Sequence, residues 1–352
     1  MSNLIDQPVD VRGGEELAAE PLQAWLDNHA PEVGKITGIK QFPSGFSNLT
    51  YALTTTGGEF ILRKPPAGAN IKSAHDMGRE FRVLSLLRPY FSRAPHPVEL
   101  CEDTQIIGSS FYIMERLQGI ILRASHARTP LPPQQFASLS RSLVDTLVDI
   151  HALDIQATGL ASLGKPEGYV ARQVEGWTQR YTKAETDAIP AMNASSAWLI
   201  ANQPVSKEVA FLHNDFKYDN MVLDVNDPTR IIGILDWEMA TVGDPLMDLG
   251  AALAYWCEPT DNPLTRLFNV SWLPGNMTRQ EVIDRYATAS GRDVSNINFY
   301  YVFGLFKNAV IAQQIYARWK AGFTKDPRFG QLIEVVKALG EQAVRAIETK
   351  TI

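Results

Sequence analysis

The sequence predicts an α+β fold in two parts, a small antiparallel sheet with one helix followed by a larger, mainly helical part. Three observations predict it. Between residues 35 and 64 apolar side chains alternate with polar ones, as at Leu49, Tyr51 and Leu53, which is the pleat of a half-buried strand. Past Gly119 the spacing becomes helical, as at Phe136, Leu139, Leu143, Leu147 and Ile150. At 352 residues the chain is also too long for a single compact core. We divide it into an N-terminal helical extension (1–29), a sheet half (30–117) and a helical half (118–352).

The elements follow in order. Residues 14–29 read as a helix with Leu17, Leu22, Trp25 and Leu26 as its apolar stripe. A β-hairpin follows, turning at Thr54-Thr55-Thr56-Gly57-Gly58. Its second strand, Glu59 to Lys64, stops at Pro65-Pro66 because proline offers no N–H to a ladder. A helix is predicted over 72–88, with Met77, Phe81, Leu84 and Leu87 on one face. Strands at 98–103 and 109–115, joined by a polar turn, complete the order β-β-β-α-β-β. Later helices are predicted over 133–153, 168–184, 191–202, 245–256, 278–290, 296–320 and 327–348, with short strands at 209–213, 221–224 and 230–235. Thr278-Arg279-Gln280-Glu281 is a capping box, and Asp326 caps a helix with Pro327 at its first position.

Composition excludes several classes. The net charge of −6 and pI near 5.6 argue against nucleic acid or an anionic membrane as partner. Two cysteines, Cys101 and Cys257, stand 156 positions apart without metal-ligand spacing, so neither a disulfide framework nor a cysteine metal site is expected. The first residues show no signal-peptide pattern and no run approaches a membrane span, so a cytoplasmic location is expected. The oligomeric state is left open.

The chemistry concentrates in Phe211-Leu212-His213-Asn214-Asp215-Phe216-Lys217-Tyr218-Asp219-Asn220, a polar loop bracketed by two apolar strands. A further apolar run, Ile231 to Leu235, ends at Asp236-Trp237-Glu238. A carboxylate leaving a buried strand must be paired, metal-bound or catalytic, because an isolated charge there is costly.

These residues carry a resemblance. His213, Asp215, Lys217 and Asn220 match the H-x-D-x-K-x-x-N catalytic loop of protein kinases, and Asp236 stands where the D-F-G aspartate would, although Trp237-Glu238 replaces Phe-Gly. The pattern is similar to the aminoglycoside and choline phosphotransferase superfamily. The run from Leu235 to Leu249 resembles the branch whose kinase-like domain is fused to acyl-CoA dehydrogenases in some eukaryotes. The likeness covers roughly residues 30–345. It implies a bilobal protein-kinase-like fold, ATP and Mg²⁺ as cofactors, and phosphoryl transfer to a hydroxyl of a small molecule. Asp215 would orient the acceptor hydroxyl, and Lys217 would neutralise charge on the transferred group. Asn220 and Asp236 would hold Mg²⁺. His213 would brace the loop. Asp244 would cap the helix beginning at Pro245, and Asp248 would brace the catalytic loop from within.

The same resemblance assigns nucleotide roles in the sheet half. Arg63 and Lys64 alternate, so only one faces a ligand; the likeness selects Arg63, and Glu80, on the apolar face of the 72–88 helix with Met77 and Leu84, is read as its partner, an ordinary helix-surface acid being the alternative. Pro43-Ser44-Gly45-Phe46-Ser47-Asn48 resembles a phosphate-covering turn in which Ser47 and Asn48 reach the phosphates; a plain hairpin turn is the alternative. Met114 would line the adenine pocket, and backbone groups of Glu115 and Leu117 would bond the base. Tyr218, Trp237, Glu238, Tyr255, Trp256, Tyr301, Lys307 and Arg318 are candidate acceptor liners, although any single one is more readily read as a core aromatic or a surface cation. The stretch 296–320 holds Lys307, Arg318 and Lys320 but no acid. That argues against a polycationic antibiotic and agrees with a hydroxylated acyl-CoA as acceptor. The alternative function is a catalytically silent nucleotide- or CoA-binding module. Acyl-CoA dehydrogenation itself is not expected, since no stretch is left for a flavin domain.

Overall fold

A computed structural model describes residues 5–43, 48–66, 76–124, 127, 130–206, 208–324 and 326–352. The chain forms two compact units. One comprises Met1–Ile121, Val222–Asp227 and Ile231–Ala240; the other comprises Leu122–Met221, Pro228–Arg230 and Thr241–Ile352.

The first unit begins with α1 (Ala19–His29), β1 (Ile36–Gln41), β2 (Leu49–Thr55), β3 (Gly58–Lys64), α2 (Met77–Leu87), β4 (Pro97–Cys101), α3 (Thr104–Ile107) and β5 (Phe111–Glu115). The strands form one antiparallel sheet in the order β1-β2-β3-β5-β4. Helix α1 starts five residues later than predicted, where Pro21 falls in its first turn and its missing N–H is harmless. It is no appendage: Leu22, Trp25 and Leu26 share a core with Tyr51, Leu53, Leu62, Phe111 and Ile113. The predicted polar turn between the last two strands is the one-turn helix α3. Asp103 caps it, accepting the Gln105 N–H, and Gly108 ends it at φ 83°. Helix α2 opens at Met77 on the Asp76 side chain, which accepts the Arg79 N–H at 2.9 Å. Its buried face includes Glu80 and Val83, while Phe81 is half-buried against the edge of Tyr112.

Beyond the sheet, the second unit contributes α4 (Pro133–His151), α5 (Tyr169–Ala184), α6 (Pro190–Ala201) and β6 (Ala210–Leu212). Strands β7 (Met221–Leu223) and β8 (Ile231–Ile234) pair and return the chain to the first unit. The second unit then resumes with β9 (Thr241–Gly243), α7 (Pro245–Tyr255), α8 (Arg279–Ser290), α9 (Ile297–Lys320) and α10 (Leu332–Thr349). The sequence does not signal β9, which is too short for a periodicity; it pairs antiparallel with β6. The last predicted helix is divided: Pro327–Gln331 is a 3₁₀ turn capped by Asp326, and Gly330 lies flat against the Trp319 ring, where a Cβ would sit 2.8 Å from it. The capping box at Thr278 and Glu281 is present.

Helix α9 is apolar on all sides and buried, with Tyr300 through Val310 almost wholly enclosed. It crosses α7 at a pair of glycines. A Cβ on Gly304 would meet the Gly250 backbone, and one on Gly250 would meet the Tyr300 carbonyl. Close approach at this crossing places α7 and α9 behind the loop that follows β6. No helix among the described residues is long and apolar enough to cross a membrane.

Candidate active site

In the first unit, strand alternation turns Arg63 inward from β3, while the Lys64 ammonium donates to the Ile107 carbonyl at 3.1 Å. Arg63 Nη1 lies 2.6 Å from Glu80 Oε1, and both terminal nitrogens reach Asp236 Oδ1, at 3.3 and 3.2 Å. Glu238 Oε2 stands 3.6 Å away. Burial opposes a charged guanidinium, but Glu80, Tyr112, Asp236 and Glu238 hold it protonated well above the ordinary arginine value. Asp236 follows β8 at φ 66°, a left-handed conformation that costs a non-glycine residue about 1–3 kcal/mol. Its neighbour Trp237 is locked by donating to the Ile234 carbonyl at 2.9 Å.

Asn48 is buried, and its amide donates to Glu238 Oε2 at 2.8 Å. Ser47 lies outside the described residues. Met114 is buried opposite Ile61. Glu115 offers a ligand less than expected: its backbone N–H donates to the His96 carbonyl at 2.9 Å, and its Oε1 accepts the His96 N–H at 3.0 Å. Its N–H is therefore not free to bond a base. Leu117 is half-buried and packs onto Gly233, where any side chain would collide with it.

In the second unit, Asp215 Oδ2 accepts from Lys217 Nζ at 3.0 Å and from Asn220 Nδ2 at 2.9 Å. The same Asn220 nitrogen donates to the Asp215 carbonyl at 2.8 Å. Burial alone would raise the Asp215 carboxyl, but Lys217 and Lys307 outweigh it and hold the group below the usual carboxylate range. Burial also opposes the Lys217 charge, yet Tyr255, Asp215 and Asp219 keep the ammonium well above the ordinary lysine value. Lys217 further lies 4.7 Å from the centre of the Tyr255 ring.

The loop is braced from behind. Asp248 accepts the His213 N–H through Oδ2 and the Asn214 N–H through Oδ1. His151 Nε2 and Asp248 Oδ2 are 3.2 Å apart, and His151 Nδ1 meets the Tyr286 hydroxyl at 2.7 Å. His213 is fully buried, and its Nδ1 accepts the Asp215 N–H at 3.2 Å. Asp244 caps α7 by accepting the Leu246 N–H at 2.9 Å. Asn214 stands at φ 66°.

The structure thus brings Arg63, Glu80, Asp236 and Asn48 together in one unit, and Asp215, Lys217 and Asn220 together in the other. It redistributes the acceptor candidates. Tyr218, Trp256 and Tyr301 are core residues whose polar atoms bond Asn276, the Met277 carbonyl and Gln342. Trp237 is likewise core, Glu238 faces Arg63, and Arg318 is exposed. Lys307 donates to the Asn214 carbonyl. Tyr255 flanks Asp215 and Lys217. Reading the sequence missed His151 and Tyr169, whose hydroxyl donates to Asn214 Oδ1 at 3.3 Å. A histidine or tyrosine at a helix end carries no sequence signal of such a role.

A sheet-based unit with an arginine–glutamate pair, and a helical unit with a braced His-x-Asp loop, define the class of kinase-like phosphotransferases. The chain belongs to the phosphotransferase enzyme family, whose model matches residues 38–283. It is 35% identical over 322 residues to rat acyl-CoA dehydrogenase family member 11, covering 89% of this chain and 41% of that protein. It is 35% identical over 310 residues to mouse family member 10, covering 87% of this chain and 29% of that one. The chain therefore spans well under half the length of these relatives. Among solved structures it is similar to a Ralstonia eutropha protein provisionally assigned as an aminoglycoside phosphotransferase (TM-score 0.79, 27% identity, 95% of this chain and 99% of that one). The fold is also shared with macrolide 2′-phosphotransferase type I (TM-score 0.60, 18% identity, 94% of this chain and 98% of that one).

Proposed function

We propose that the chain transfers the terminal phosphoryl group of ATP to a hydroxyl of a small molecule, in the cytoplasm, and that the acceptor is a hydroxylated acyl-CoA. The observation that carries the transfer reading is the Asp215 carboxylate, ionised and held between Lys217 and Asn220 on a loop pinned by Asp248. A carboxylate held below its usual pKa is a poor general base but a good hydrogen-bond acceptor, so it orients the hydroxyl and takes the proton as the bond to phosphorus forms. Lys217, beside it, offsets the charge on the equatorial oxygens of the transferred group.

The nucleotide contacts follow from the first unit. Arg63 is charged and fixed by Glu80, which fits a cation placed over phosphates. Ser47, Asn48, Met114, Glu115 and Leu117 complete the proposed nucleotide contacts, with the reduced part for Glu115 given above.

The residues fit Mg²⁺. Asn220 has committed its nitrogen to Asp215, leaving the amide oxygen, and Asp236 binds Arg63 through Oδ1, leaving Oδ2. Both are hard oxygen donors. Among the described residues no group of three histidine, cysteine or carboxylate side chains is placed to hold a metal ion by itself. When bound, Mg²⁺ would neutralise phosphate charge and align the terminal group.

The acceptor reading rests on the acid-free helix α9 and on the acyl-CoA dehydrogenase relatives. A turnover screen of hydroxyacyl-CoAs against aminoglycosides, macrolides, choline and sugars tests it. ADP release and a phosphorylated product are expected with a hydroxyacyl-CoA. Background release with every hydroxyacyl-CoA would overturn this acceptor, and background release with the whole panel would overturn the transfer reading.

A further inference from the structure

Beyond its charge acting on Asp215, Lys307 has been given no role in the proposed transfer. It sits in the middle of α9, the only charge between Ile297 and Ala317, and is 3% exposed. Among the described residues no carboxylate pairs with it. Its single hydrogen bond runs from Nζ to the Asn214 carbonyl, at 2.6 Å, and the Trp177 ring lies 5.8 Å away on its other side. Burial holds the Lys307 pKa below the ordinary lysine value although Asp215 and Asp248 favour the charge, and an apolar side chain of similar length would fill the same space in an otherwise apolar helix.

Its one contact falls on an unusual residue. Asn214 is the residue before Asp215 and stands at φ 66°, outside the regions that side-chain-bearing residues favour. Each of its hydrogen-bonding groups seen in contact is held by a different element: the N–H by Asp248 on α7, the side-chain oxygen by Tyr169 on α5, and the carbonyl by Lys307 on α9. A strained conformation persists only where the surroundings over-determine it. The carbonyl is the atom whose orientation sets the direction of the next peptide, and the next residue is Asp215. The Lys307 charge also acts on the Asp215 carboxylate itself.

We propose that Lys307 is a positioning residue for phosphoryl transfer: by holding the Asn214 carbonyl it fixes the left-handed turn that aims Asp215, and its charge adds to that of Lys217 beside the carboxylate. Lys307 itself touches neither nucleotide nor acceptor. The inference rests on the transfer reading for its effect on rate, while its structural half stands independently.

Two variants and two readouts test it. Lys307→Met removes both charge and donor, and Lys307→Arg restores them. The first readout is amide hydrogen exchange across residues 213–220. The second is kcat and nucleotide KM with whichever acceptor turns over. In Lys307→Met the loop amides are expected to exchange about 10-fold faster or more, while exchange in α4 and α10 stays at the wild-type level, a loss in the range of one charge-assisted hydrogen bond. kcat is expected to fall about 10- to 100-fold with nucleotide KM within about 3-fold of wild type. Lys307→Arg should recover most of both effects. A folded Lys307→Met with wild-type loop exchange and wild-type kcat overturns the proposal, as does a parallel loss of kcat and nucleotide affinity with general loosening of the unit. If Lys307→Met does not fold, Lys307→Gln takes its place under the same criteria. If the wild-type protein turns over no acceptor, the transfer reading fails, and loop exchange alone still decides whether Lys307 holds the turn.

Discussion

Asp248 Oδ2 accepts the backbone N–H of His213 at 2.6 Å, across 35 positions of sequence. With Oδ1 on the Asn214 N–H, one buried carboxylate on α7 closes two consecutive peptides of the loop that holds Asp215. Asp248→Asn turns one acceptor atom into a donor facing an N–H. We expect a destabilisation of about 3–5 kcal/mol, the cost of breaking a buried charged network, together with a fall in kcat larger than any change in nucleotide KM. Urea unfolding and steady-state kinetics check the two halves.

The same carboxylate sets a pH dependence. Burial would raise its pKa, but His151 and His213 hold it below the usual carboxylate range. Its folded value therefore lies below the unfolded value of about 3.9, so its stabilisation is complete above about pH 4 and is lost as pH falls through the folded value. Unfolding free energies of the wild type and of Asp248→Asn should converge progressively below about pH 4 and run parallel between about pH 5 and 7. A gap that stays constant into acid would contradict the assignment.

Arg63 pairs with each of Glu80, Asp236 and Glu238. Arg63→Met leaves three carboxylates facing one another and should cost about 3–5 kcal/mol. Adding Glu80→Leu removes the buried acid as well and should restore part of that stability, since removing both partners is cheaper than stranding one. Nucleotide affinity should stay low in both variants. Full recovery of affinity in the double variant would show that Arg63 holds only Glu80.

The α7–α9 crossing offers a remote test. Gly304→Ala places a methyl group against the Gly250 backbone. Overpacking of this kind costs about 1–3 kcal/mol. Because α7 carries Asp248 and α9 carries Lys307, kcat should fall although the substitution lies away from the loop. Unfolding curves and turnover, measured on the same preparation, check both.

Much of this was legible in the sequence because it lies in short runs. The strand-bracketed loop at 211–220 announces itself by composition, and the alternation of Arg63 and Lys64 follows from the strand pleat. The capping box at Thr278 is likewise local. What was not legible depends on residues far apart. Lys307 and Asn214 are 93 positions apart, and neither carries a local mark of the other. Glu115 looked free to bond a base because nothing local shows that its N–H is taken by His96. Strand β9 escaped because its partner, β6, supplies the register that three residues cannot. The aromatic acceptor candidates could not be sorted for a related reason: Trp256 and Tyr301 look the same in sequence whether they line a pocket or fill a core.

The central claim is that Asp215 orients a hydroxyl for attack on the terminal phosphate of ATP. Its most direct test is transfer of labelled γ-phosphate from ATP to the best hydroxyl acceptor, in the presence of Mg²⁺, by the wild-type chain and by Asp215→Asn. The account predicts label in a phosphate ester with the wild type, and a loss of about 10²- to 10⁴-fold in the variant while nucleotide affinity is kept. Equal transfer by the two proteins, or no transfer by the wild type to any acceptor, would contradict it.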